Sequence, residues 1–104
     1  MSSVSIRTTE VDELLAVLAR MEDPDQIYDL LQDLCTPREI TDMSQRLHVA
    51  RMLAAGEHYT DIQGKTGASA TTISRVSKCL NYGADGYRHV LDDDAAASGL
   101  AKGE

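Results

Sequence analysis

The groups in this chain that could do chemistry are hydrogen-bonding and cationic, and they gather in one stretch. Gln63, Lys65, Ser69, Ala70, Thr71, Ser74, Arg75 and Lys78 fall within residues 63–78. At helical spacing, Ile73, Val76 and Leu80 form an apolar stripe, and Ser69, Ala70, Thr71, Ser74, Arg75 and Lys78 face outward from it. Small hydrogen-bonding groups and two cations on an exposed helix face suit the major groove of DNA. Ser69, Ala70, Thr71 and Ser74 are the candidates near base edges. Gln63, Lys65, Arg75 and Lys78 are candidates for phosphates or base edges. Small side chains read bases weakly, so part of any specificity has to come through water or DNA shape. The plainer reading is an amphipathic helix pair within an all-α domain. It explains the stripe, but not why residues 68–82 carry no carboxylate in a chain with 17 acidic residues.

Other chemistries find little support. His48, His58, His89, Cys35 and Cys79 show neither CxxC nor HExxH spacing, so no metal site is expected. Cys79 reads as a structural cysteine before a nucleophile. The two cysteines are expected as separate reduced thiols. There is no glycine-rich phosphate loop, no cofactor is expected, and the chain does not read as an enzyme. Tyr59, Tyr82 and Tyr87 flank the motif and are expected to pack at corners with their hydroxyls at the surface.

The elements that must hold these residues follow from the same stretch. A short helix carrying Ile62 runs into Lys65-Thr66-Gly67, and a second helix follows. Gly67 stands where two helices meeting at a sharp angle need a residue that tolerates positive φ. The net charge of −7 argues at first against nucleic acid, but its distribution does not. Residues 1–37 carry a net −6, residues 38–90 a net +2, and residues 91–104 a net −3. Phosphate contact depends on local cations. A surplus of two is modest, and two copies side by side would double it.

With no Phe and no Trp in 104 residues, the core must come from Leu, Val, Ile, Met and Ala. Such a core is thin for the chain length, and sharing it with a second copy is attractive. No apolar run reaches membrane-spanning length and no signal peptide is visible, so a cytoplasmic protein with no membrane partner is expected.

Residues 1–8 read as a flexible N-terminus. From Thr9, the residues Val11, Leu14, Leu15, Leu18 and Met21 keep helical spacing. Asp23-Pro24 restarts the chain into a helix carrying Ile27, Leu30, Leu31 and Leu34. Thr36-Pro37-Arg38-Glu39 is a capping box with proline at the first helical position. The helix it opens should run to Ala55 and stop at Gly56. Its apolar stripe is broad enough to meet more than one neighbour, part of it in another subunit. Asn81-Tyr82-Gly83 closes the helix after the turn. A last short helix from Asp85-Gly86 carries Tyr87, Val90 and Leu91. The Asp-rich, Ala/Gly/Ser-rich residues 92–104 read as disordered. The organisation expected is one helical domain over 9–91.

From Cys35 to Leu91 the chain resembles the tryptophan-repressor superfamily, and within it the TrpR-like YerC/YecD group. TPREI at 36–40 with Arg46, ARMLAAG at 50–56, and TGASATTISRVSKCLNYGADGY at 66–87 carry the resemblance. It implies an all-α, intertwined homodimer in which each subunit offers one helix-turn-helix to double-stranded DNA. It also implies a ligand pocket. The repressor's two indole-clamping arginines align with Arg46 and Arg75, and a threonine contributed by the other subunit aligns with Thr36. The pattern departs at Val76, where the repressor has glycine, and at Asp33 and Cys35, where it has leucines. A branched side chain takes space at the ring and a carboxylate makes the wall polar, so tryptophan is not expected to bind as it does in the repressor. A plainer reading leaves Arg46 and Arg75 as surface arginines pairing with acids or phosphate.

The reading is therefore a sequence-specific DNA-binding transcription regulator of bacterial type, a repressor acting as a homodimer, with any effector unidentified. The alternative is a helical dimeric protein-interaction module with a degenerate helix-turn-helix, which the acidic first third would suit.

Overall fold

The computed structural model describes the backbone of residues 7–101 and the side chains of residues 7–96. Among the described residues there are six helices and no strand. They are α1 (Thr9–Arg20), α2 (Pro24–Leu34), α3 (Pro37–Ala54), α4 (Tyr59–Thr66), α5 (Ala70–Tyr82) and α6 (Gly86–Ala101). The chain forms two units, residues 1–40 and residues 41–104, with the boundary inside α3.

In the first unit the helix starts are set by side-chain caps. Thr8 accepts from the Val11 N–H at 3.2 Å and Asp23 from the Asp25 N–H at 3.0 Å. Pro24 occupies the first turn of α2, where its missing N–H costs nothing. Thr36 and Glu39 form the reciprocal capping box that the sequence predicts. The Glu39 N–H donates to Thr36 Oγ1 at 3.1 Å, and the Thr36 N–H donates to Glu39 Oε1 at 2.7 Å. Neither α1 nor α2 has a buried residue. Leu14, Leu15, Tyr28 and Leu34 are all exposed, Leu34 by 55%. The helical stripe is present in the sequence, yet within one chain it covers little.

The second unit holds the core. Val49, Ala50 and Met52 of α3 pack with Ile62 of α4, Ala68 of the turn, and Ile73 and Val76 of α5, and Leu53 and Tyr87 lie against them. All are aliphatic or small except Tyr87, as a chain without Phe or Trp requires. The helix α3 closes in a full Schellman turn. Gly56 takes φ +82°, its N–H donates to the Leu53 carbonyl at 3.0 Å, and the Glu57 N–H donates to the Met52 carbonyl at 3.1 Å.

Two side-chain links fasten the later helices. On α3, Gln45 Nε2 donates to the Thr66 carbonyl at 3.1 Å. On α6, Arg88 Nε donates to the Leu80 carbonyl at 3.0 Å, and its guanidinium also reaches Asn81 Oδ1 at 3.3 Å. A cation at the last carbonyls of α5 is favoured by the helix dipole as well as by the hydrogen bond.

The sequence places the last helix's end near Leu91 and reads residues 92–104 as disordered, but α6 continues to Ala101. Asp94 pairs with Arg51 of α3 at 2.8 Å, and the alanines that follow are the strongest helix formers. Residues 102–104 lie outside the described residues. So do residues 1–6 of the N-terminal segment read as flexible, whose last residue, Thr8, is the cap of α1.

Candidate nucleic-acid interface

The turn between α4 and α5 is three residues, Gly67-Ala68-Ser69. Gly67 takes φ +75°, and its N–H donates to the Gln63 carbonyl at 2.9 Å. The side chain of Thr66 stitches the turn from inside. Its hydroxyl donates to the Ile62 carbonyl at 2.7 Å and accepts from the Ala68 N–H at 3.1 Å. Ala68 is buried beneath. Ser69 then caps α5, accepting from the Thr72 N–H at 3.1 Å and donating to Thr72 Oγ1 at 3.1 Å. Its hydroxyl is thus committed to starting the helix.

Burial of Ile73, Val76 and Leu80 fixes the rotation of α5. The opposite face presents Ala70, Thr71, Ser74, Arg75 and Lys78, all exposed. These five line a shallow concavity of about 470 Å³. Five of the eight residues singled out in the sequence therefore share one surface. Gln63 and Lys65 are exposed on α4 and are not among the residues lining it. Lys65 Nζ lies 2.8 Å from Glu57 Oε1. The hydrogen bond and charge of Glu57, with a smaller contribution from Asp61, raise the Lys65 pKa above its ordinary 10.5.

A second recess, of about 290 Å³, lies on the other side of Arg75. Arg46, Thr72, Arg75, Val76, Cys79 and Tyr87 line it. The two arginines picked out from the sequence thus face one space, and Val76 forms part of its wall. Thr36, the third pocket candidate, belongs to the first unit, where its hydroxyl serves the capping box. Burial raises the Tyr87 pKa above its ordinary 10.0, as does the nearby Cys79, while Arg46 opposes the shift. Thr72, Cys79 and Tyr87 were not singled out for this recess from sequence. For Thr72 and Cys79 a signal existed: with Arg75 and Val76 they repeat at three- and four-residue intervals. Tyr87 on α6 offered no such spacing. Among the described residues no group of three or more His, Cys, Asp or Glu side chains could hold a metal ion. No described helix is long and apolar enough to cross a membrane.

Six helices with no strand among the described residues give the chain the all-α architecture of the Trp repressors. The family model described as Trp repressor protein matches residues 9–95, and the chain belongs to that family. Within it, the chain stands with the TrpR-like YerC group. It is 47% identical over 87 residues to the uncharacterized protein YerC of Bacillus subtilis (strain 168), covering 84% of each chain. A crystal structure of a TrpR-like protein from Eubacterium eligens ATCC 27750 superposes with a TM-score of 0.83 at 44% identity, covering 86% of this chain and 93% of that one. A candidate Trp repressor from Staphylococcus aureus superposes with a TM-score of 0.82 at 40% identity, covering 86% and 90%.

Proposed function

We propose that this chain is a sequence-specific DNA-binding transcription regulator that acts as a homodimer through α4 and α5 as a helix-turn-helix. The observation that carries the reading is the outer face of α5. It presents exposed hydroxyls with Arg75 and Lys78, has no carboxylate, and stands on a buried apolar side that fixes its rotation. Family membership supports the same reading. Ala70, Thr71 and Ser74 lie near base edges, Arg75 and Lys78 take phosphates or base edges, and Gln63 and, when released from Glu57, Lys65 are candidates for the same role. Ser69 acts through the cap that starts the helix.

The uncovered apolar sides of α1 and α2 support a dimer, since helices with no buried residue are stabilised by a surface beyond their own unit. Two copies place two α5 helices on half-sites about one helical turn apart. Repression follows by occlusion of the site. The recess behind Arg75 does not take tryptophan as a repressor pocket would, because the Val76 side chain occupies its wall. Selection of bound sequences from a random DNA pool, with and without free amino acids, tests this. Enrichment of a two-fold related site, unchanged by tryptophan, is expected. No enrichment leaves a helical protein-interaction dimer, for which the apolar sides of α1 and α2 would be the binding surface.

A further inference from the structure

Lys65 and Glu57 are eight residues apart, joined across the loop between α3 and α4. Lys65 Nζ lies 2.8 Å from Glu57 Oε1. Gly56 in the left-handed conformation ends α3, and the Schellman hydrogen bond from the Glu57 N–H to the Met52 carbonyl holds the Glu57 backbone in place. The Glu57 side chain is only 29% exposed, against 62% for Lys65. The anchored partner is the acid, and the lysine comes to it. Asp61 adds a second negative charge nearby, and both acids favour the charged lysine. Between Glu57 and Thr66 the formal charge is −1, while α5 carries +2 and no acid.

We infer that Glu57 is a built-in competitor for DNA, holding Lys65 away from the phosphate backbone and so weakening binding without touching base edges. This rests on the DNA-binding reading and adds a restraint on it. A phosphate oxygen and the Glu57 carboxylate offer Lys65 the same kind of charge-assisted hydrogen bond. A paired lysine also brings less counterion release, because part of its field is already neutralised. The consequence is a regulator with deliberately modest non-specific affinity, whose contacts rest mainly on Arg75 and Lys78.

The test is a double-mutant cycle on DNA affinity against salt, using the full chain with Glu57→Gln, Lys65→Gln and both. Thermal unfolding of each variant checks that the fold is retained. Glu57→Gln is expected to tighten binding by about threefold or more per subunit at low salt, and to steepen the logarithmic salt slope by about 0.9 per subunit. In the Lys65→Gln background the same substitution should change the slope by nothing. Tightening by Glu57→Gln that persists at full size without Lys65 would mean general charge repulsion and overturn the inference. So would weaker binding in Glu57→Gln, which would make Glu57 a positioning residue for Lys65. If the wild-type chain binds DNA and Glu57→Gln changes nothing, the inference fails and the DNA-binding reading stands. If the wild-type chain shows no salt-dependent binding, both fall.

Discussion

The side-chain amide of Gln45 donates to the backbone carbonyl of Thr66 at 3.1 Å, joining the middle of α3 to the last residue before the turn. Thr66 in turn holds the turn through Ile62 and Ala68. The orientation of α5 therefore depends on a short hydrogen-bonded path that starts on α3, one residue before Arg46. Gln45→Ala should cost about 1 kcal/mol in urea unfolding, the worth of one part-buried hydrogen bond. Thr66→Val, which is close in shape but removes two hydrogen bonds, should cost more. Equal costs would mean that the path does not brace the turn.

Two glycines are predicted to differ in what they tolerate. At Gly67 an added Cβ meets open space, and only the positive φ penalises it. Gly67→Ala should therefore cost about 1 kcal/mol. At Gly83 an added Cβ would collide with the Cys79 carbonyl oxygen. The backbone there must move, and the loss should be clearly larger. Unfolding of both alanine variants under the same conditions checks the order.

The caps make a pair of opposite predictions. Thr36→Ala removes half of a reciprocal box and should destabilise by about 1 kcal/mol. His58 precedes α4 in extended conformation and makes no side-chain capping bond. His58→Ser supplies one, and should stabilise by about 0.5 kcal/mol or more. Chemical denaturation of each variant reads both signs.

Alkaline pH should weaken the fold. Tyr87 and Lys65 both hold their protons more tightly in the folded chain than in the unfolded one. The stability they contribute is complete below the unfolded values and fades as pH rises past 10.0 and 10.5. Lys65 is exposed, so its share is small and screened by salt. The urea midpoint is expected to fall above about pH 10, and to fall less in Tyr87→Phe with Lys65→Gln. An ultraviolet titration should also show the Tyr87 phenol ionising above its ordinary 10.0.

Much of the fold was legible in the sequence because its signals are local. Thr36 and Glu39, Gly56, Gly67, and the Ile73–Val76–Leu80 stripe each act within a turn or two of where they stand. The links that were not legible join residues that only the folded chain brings together. Gln45 to Thr66, Glu57 to Lys65 and Arg88 to the Leu80 carbonyl carry no periodic mark. The extent of α6 was misread for the same reason. Asp92-Asp93-Asp94 reads as a solvated tail until Arg51, 43 residues earlier, is placed beside Asp94. The candidate face of α5 was legible as a face, but the commitment of Ser69 to the cap and of Lys65 to Glu57 was not.

That the outer face of α5 lies along DNA is the proposal on which the function rests. It is tested most directly by measuring affinity for duplex DNA against salt for the wild-type chain, Arg75→Ala and Lys78→Ala. Steeply salt-dependent binding by the wild type is expected. Where the lost side chain contacts phosphate, the slope should fall by about 1 per subunit. Where it reads a base, about 1–3 kcal/mol should be lost at one position of the site. Wild-type binding that ignores salt, or substitutions at both positions that leave affinity and slope unchanged, would contradict it.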